Sequence, residues 1–166
     1  MASFGLQRPS AAAAAVPEQL IEAGTPWIAA ADGKLSLLQT SLQRLQLPVT
    51  AADETGYTLL QAAASYGQLP VLQWILSQIH ADPNGINAVD HEGDSALHYA
   101  GTAEAARMLV EVGRINVGLV NRQGKTALQQ KQEELQQLLD DEDEDSDSED
   151  VESLKKQVEF LTQLQQ

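Results

Sequence analysis

Asp53-Glu54-Thr55-Gly56-Tyr57-Thr58-Leu59-Leu60 is the stretch whose reading decides the fold. Asp at its head opens a turn by hydrogen-bonding its own backbone. Gly56 supplies the positive φ that such a turn requires. Thr58 offers its hydroxyl to the free N–H groups of the next helix. Leu60 is the first core residue of that helix. The pattern recurs as Asp90-His91-Glu92-Gly93-Asp94-Ser95-Ala96-Leu97 and as Asn121-Arg122-Gln123-Gly124-Lys125-Thr126-Ala127-Leu128. The glycines lie 37 and then 31 residues apart. Three ordered copies at near-constant spacing mark an internal repeat.

Residues 62–79 complete the unit that the first copy opens. Ala62, Ala63 and Ala64 are small enough for two helices to approach closely, and Gly67 ends the first helix in a left-handed cap. Pro70 suits the first turn of a second helix. Val71, Leu72, Ile75, Leu76 and Ile79 then fall on one stripe. Each unit is therefore a turn, a short helix, a tight connection and a longer helix. In the next unit Gly101-Thr102 arrives three residues early, with Thr102 as N-cap and a helix expected over 103–112. Upstream, Thr25-Pro26-Trp27-Ile28-Ala29-Ala30-Ala31-Asp32-Gly33, continued by Leu35, Leu37, Leu38, Leu42 and Leu45, reads as an earlier, atypical copy.

These motifs resemble the ankyrin repeat, with its period of ~33 residues and its Thr-Pro-Leu-His-x-Ala signature. The likeness is closest over Asp53–Leu76, and the second motif keeps Leu97-His98-Tyr99-Ala100. The wording around Pro26–Gly33 and Asp53–Gly67 is similar to that of small, single-domain fungal ankyrin-repeat proteins. The resemblance implies an all-α ankyrin-repeat solenoid of about three to four repeats, at about 24–52, 53–89, 90–120 and 121–139, within a domain of residues 21–139. It gives His98 a hydrogen-bonding role in the turn network. It also implies recognition of a protein partner through the turn tips and the first-helix face. By position these are Glu54, Thr55, Tyr57, Ser65 and Tyr66, then His91, Glu92 and Asp94, then Arg122, Gln123 and Lys125. Tyr57 and Tyr66 are the expected anchors, because Tyr joins large contact area to a polar tip.

The flanks read differently. Residues 1–20 form a small-residue stretch expected to be a disordered tail; Arg8 and the run Ala11–Val16 only faintly imitate a signal peptide. Net charge is −14, and Asp140–Glu152 alone holds ten acids and no base. The other 14 acids face 10 bases. Residues 140–150 are expected to be an extended, disordered acidic linker. Within it Ser146 sits among acids in the manner of an acidophilic kinase site. In 151–166, Val151, Leu154, Val158 and Leu161 make one apolar helical stripe. That helix could pack back on the repeats, order on a partner, or self-associate.

Composition excludes several classes. The chain has no cysteine, which removes disulfides and thiol catalysis and suits a reducing, cytoplasmic or also nuclear, setting. Lys and Arg are too few and scattered for a nucleic-acid surface. No apolar run reaches the ~20 residues of a membrane span. Gly124-Lys125-Thr126 imitates a nucleotide loop, yet Leu119 stands where that loop needs glycine. His80, His91 and His98 have no metal-site spacing, and the acidic run lacks the glycine and terminal Glu of a calcium loop. No nucleophile–base motif is present, so no cofactor, no metal and no catalysis are expected. The expectation is a monomeric protein-binding adaptor or regulator. Two alternatives remain: an escort of a basic client such as a ribosomal protein, using the acidic run, or a scaffold subunit joined through the last helix.

Overall fold

The computed structural model describes residues 21–79, 82–140 and 149–165. The expectations for residues 1–20, His80, residues 141–148 and Ser146 fall outside that range. Nine helices occur among the described residues: α1 (Thr25–Ala31), α2 (Leu35–Leu45), α3 (Leu59–Ser65), α4 (Leu69–Ile79), α5 (Pro83–Ile86), α6 (Ala96–Tyr99), α7 (Ala103–Glu111), α8 (Ala127–Asp140) and α9 (Glu149–Gln163). The described residues contain no strand, only three isolated antiparallel bridges, Ala52 with Thr58, Val89 with Ser95 and Val120 with Thr126. Each bridge closes one of the three motif turns into a short finger.

The helices stack in two rows. The inner row runs α1, α3, α6, α8, each packed on the next. In the outer row α4 packs on α7 and α7 on α9, while α2 pairs with α1. Between the rows lies a continuous apolar core. Ala29, Ala30, Ala62, Ala63, Ala64, Ala105 and Ala106 are fully or almost fully buried, so the rows meet closely, as the alanine runs require. Leu38, Leu59, Leu72, Ile75, Leu97 and Leu109 fill the spaces between them. Fully burying such a side chain contributes roughly 1.5–3 kcal/mol.

The unequal spacing of the fingers has two local causes. After α4, the extra turn α5 lengthens the second unit; Asp82 caps it by accepting from Asn84 N–H at 3.0 Å. In the third unit α6 is a single turn. Gly101 then runs against the end of α3, donating its N–H to the Ala64 carbonyl at 3.0 Å. A Cβ at Gly101 would lie 2.0 Å from the Ser65 carbonyl oxygen, so only glycine allows this approach. Thr102 caps α7 as expected, accepting from Ala105 N–H at 3.1 Å, and the helix ends at Glu111, one residue short of the expected span.

The fourth unit is more complete than its sequence suggests. α8 is the inner helix, and α9 lies against α7 and α8 in the place of an outer helix. Val151, Leu154, Phe160 and Leu161 are buried there. Arg107 of α7 stands 4.7 Å over the Phe160 ring. The acidic run therefore joins the two helices of one repeat. Gln157 is also buried in α9, and its Oε1 has no hydrogen-bond partner.

Candidate protein-binding surface

The fingers owe their shape to their first residue. Asp53 Oδ1 accepts from Thr55 N–H, the Thr55 hydroxyl and Tyr57 N–H at 2.7–3.0 Å. Asp90 Oδ1 accepts from Glu92 and Asp94 N–H, and Asn121 Oδ1 from Gln123 and Lys125 N–H. Gly56, Gly93 and Gly124 take φ of +82°, +81° and +73°. Burial alone would raise the Asp53 carboxyl, but its bonds from Thr55 and Tyr57 and the nearby His91 outweigh this and lower its pKa.

The fingers are linked into a ladder. His91 N–H donates to the Thr55 carbonyl and Arg122 N–H to the Glu92 carbonyl, both at 2.8 Å. A second set of rungs comes from the inner helices. Trp27 Nε1–H donates to the Tyr57 carbonyl at 2.8 Å and Gln61 Nε2–H to the Asp94 carbonyl at 2.6 Å. His98 Nε2 lies 3.0 Å from the Lys125 carbonyl. In each case a side chain near the start of one inner helix holds the residue just before the next helix cap. Gln61 and His98 also close their own caps: Gln61 Oε1 accepts from Thr58 N–H, and His98 Nδ1 from Ser95 N–H. The role expected of His98 is thus visible. Those of Gln61 and Trp27 were missed, although Gln61 sits three residues after Thr58 just as His98 sits three after Ser95.

The sequence-derived surface residues separate into two groups. Glu54, Thr55, His91, Glu92, Arg122 and Gln123 stand exposed on the three finger tips. Tyr66, just past α3, is 66 % exposed. The others are partly buried and already engaged. Tyr57 packs edge-to-face on Tyr99 at 5.0 Å, and its hydroxyl lies beside Ser65. Asp94 Oδ1 accepts from Asn121 Nδ2–H at 2.8 Å. Lys125 is paired with Glu133. Tyr99 donates its hydroxyl to Asp90 Oδ2 at 2.6 Å. Burial, then this bond and the neighbouring carboxylates, push the Tyr99 pKa far up; burial raises Tyr57 as well.

Among the described residues no group of three metal-ligating side chains converges, and no helix is long and apolar enough to cross a membrane. A groove of about 530 Å³ opens beside the first finger and is lined mainly by apolar atoms.

Helix pairs stacked in two rows, with fingers projecting from the inner one, define a repeat solenoid, and likeness to known proteins says which kind. A family model of ankyrin repeats in three copies matches residues 27–121; the chain belongs to the ankyrin-repeat family. Over 103 residues, 62 % of this chain, it is 36 % identical to an ankyrin repeat-containing protein of the fission yeast Schizosaccharomyces pombe. The match covers 47 % of that protein, so the chain spans about half the length of this curated relative. Both the family and the fungal likeness expected from the sequence are found. Ankyrin repeats serve in general as non-catalytic modules that bind proteins.

Proposed function

We propose that this chain is a non-catalytic adaptor or regulator that holds a protein partner across its finger tips and inner-helix face. The observation that carries this reading is the ladder. It fixes six exposed tip residues, Glu54, Thr55, His91, Glu92, Arg122 and Gln123, on one rigid edge. A surface ordered before binding loses little conformational entropy on association. Tyr66, large and exposed beside that edge, is the aromatic anchor. The test is capture of partners from the source cell, then binding measurements with each purified partner. Tyr66→Ala with Arg122→Ala should weaken binding at least tenfold, whereas Gln73→Ala on the outer row should not. Equal affinity of all variants would refute the surface.

The acidic run favours a basic partner as a finer version of the same function. In the chain it links the end of α8 at Asp140 to the start of α9 at Glu149. Charge of this kind steers association and is screened beyond ~8 Å at physiological salt. We assign it to accelerating capture while the tips select. Association with a basic partner should then slow as salt rises, with little change in dissociation.

A further inference from the structure

We propose that the N-terminal end of the finger ladder is a docking site for an extended partner segment, apolar with an adjoining Lys or Arg, which joins the ladder through Glu54 N–H.

The ladder has a fixed register. The second residue of each finger donates its N–H back to the finger before it: Arg122 to Glu92, His91 to Thr55. Glu54 holds the same position in the first finger. Its N–H has no partner among the described residues, and Glu54 lines the groove beside that finger. A donor already set in ladder geometry thus faces an open groove of about 530 Å³. That size lies within the range of ordinary ligand pockets.

The groove states what fits. Trp27, Leu47 and Ala52 give it an apolar lining, with Ala23 and Gly24 along one side. The helical places of the first unit are already filled, because α1 packs on α3 and α2 on α1. What remains open is the place beside Glu54 where the first unit carries no finger of its own, and an extended chain can supply it. An extended peptide that adds to an exposed ladder gains backbone bonds and one pocket for alternate side chains. Charge sets the rest. Asp53 Oδ1 is saturated, but Oδ2 has no partner among the described residues, whereas Asp90 Oδ2 is taken by Tyr99. With the exposed Glu54 carboxylate beside it, this edge selects a cationic neighbour.

The finger geometry supplies a clean test. Gly56 N–H closes the turn on the Asp53 carbonyl at 3.0 Å, which puts Glu54 at the turn position that proline favours. Glu54→Pro therefore deletes the donor and leaves the turn, while Glu54→Ala removes only the carboxylate, so a loss of affinity larger for Glu54→Pro than for Glu54→Ala belongs to the N–H. A phage-displayed library of random heptapeptides is panned on the full chain, and enriched peptides are synthesised with capped ends. Their binding is monitored by Trp27 fluorescence in a Trp74→Phe background. The expected result is a consensus of alternating apolar residues with one Lys or Arg. Affinity should drop at least tenfold on Glu54→Pro and fall with salt. With the peptides and the isolated protein, three results would each overturn the proposal. Enriched peptides could be absent, or could bind parent and Glu54→Pro equally. Alternatively, hydrogen exchange could find Glu54 N–H already protected in the isolated protein. Protection at all concentrations would assign the groove to the chain's own residues 1–20, and protection growing with concentration to a second copy. The proposal rests on the finger tips being a recognition surface. Partners lost on Tyr66→Ala but unaffected by Glu54→Pro would leave that reading standing and sink this one.

Discussion

Gly56, Gly93 and Gly124 are the same residue in the same turn at nearly the same φ, yet alanine should not cost the same at each. The shared part of the cost is conformational: an L-residue in the left-handed region loses roughly 1–2 kcal/mol against glycine. The remainder depends on what a Cβ would meet. At Gly93 it would lie 3.0 Å from Arg122 N and 3.1 Å from Asn121 Cα, both backbone atoms of the next finger. At Gly56 it would lie 3.1 Å from Asp90 Cα. At Gly124, on the last finger, nothing lies within 4 Å. Relieving the contact at Gly93 means pushing the next finger away, which stretches the 2.8 Å bond from Arg122 N–H to the Glu92 carbonyl. Overpacking of this kind costs typically 1–3 kcal/mol more. Gly124→Ala should therefore lose about 1–2 kcal/mol, and Gly56→Ala and Gly93→Ala about 2–5 kcal/mol. Urea unfolding monitored by circular dichroism measures this directly, provided the slope with denaturant is unchanged. Three equal losses, or the largest at Gly124, would show that the fingers are not stacked as described.

The same geometry yields further expectations. His91→Pro and Glu54→Pro change equivalent turn positions; the first deletes a ladder bond and should cost about 1–3 kcal/mol, the second should stay within about 1 kcal/mol of the parent, as calorimetry can show. Tyr99→Phe removes the hydroxyl bond to Asp90 and should cost about 1–3 kcal/mol at neutral pH. Because folding raises the Tyr99 pKa, its contribution is full below the ordinary tyrosine value near 10 and declines as pH climbs above it. Urea midpoints from pH 8 to 11 should accordingly fall more steeply for the parent than for Tyr99→Phe. Asp53 has the opposite sign: its lowered pKa gives stability present above 3.8 and lost as pH falls below that, a loss Asp53→Asn should blunt in acid titrations. In α9, Leu161→Ala should destabilise by about 2–4 kcal/mol, while Gln157→Leu should be neutral or stabilising, since it removes an unpartnered buried carbonyl. A thermal midpoint unmoved by Leu161→Ala would mean that α9 does not pack on the repeats.

Much of this architecture could be read along the chain because each finger is a local event. Asp53, Gly56 and Thr58 interact within six residues, so their spacing alone forecasts the turn, its left-handed glycine and the helix cap. The outer helices were legible for a similar reason: Val71, Leu72, Ile75, Leu76 and Ile79 share a face by periodicity, and all five are buried. The fate of α9 was not legible. Its stripe of Val151, Leu154, Val158 and Leu161 specifies an apolar face but not what covers it, and only α7 and α8 in three dimensions decide that. Tyr57 was hidden for the same reason. Its partner Tyr99 lies 42 positions on, so nothing near Tyr57 signals that the ring is turned inward. Trp27 stands in a degenerate copy of the motif, and its bond to the Tyr57 carbonyl can be foreseen only once adjacent units are stacked.

The joint between α8 and α9 bears on how this chain can change over time. In the other three units only three residues separate the inner helix from the outer one, at 32–34, 66–68 and 100–102; here residues 141–148 do so. The entropy cost of closing a connection rises by only ~0.6 kcal/mol per doubling of its length. Insertions, deletions and added carboxylates at this joint therefore register weakly in folding. A surface patch or core position has no such latitude, because its neighbours constrain it. The run of acids sits at a connection whose composition can drift, and be selected for its electrostatics, with less constraint than the short joints of the other units.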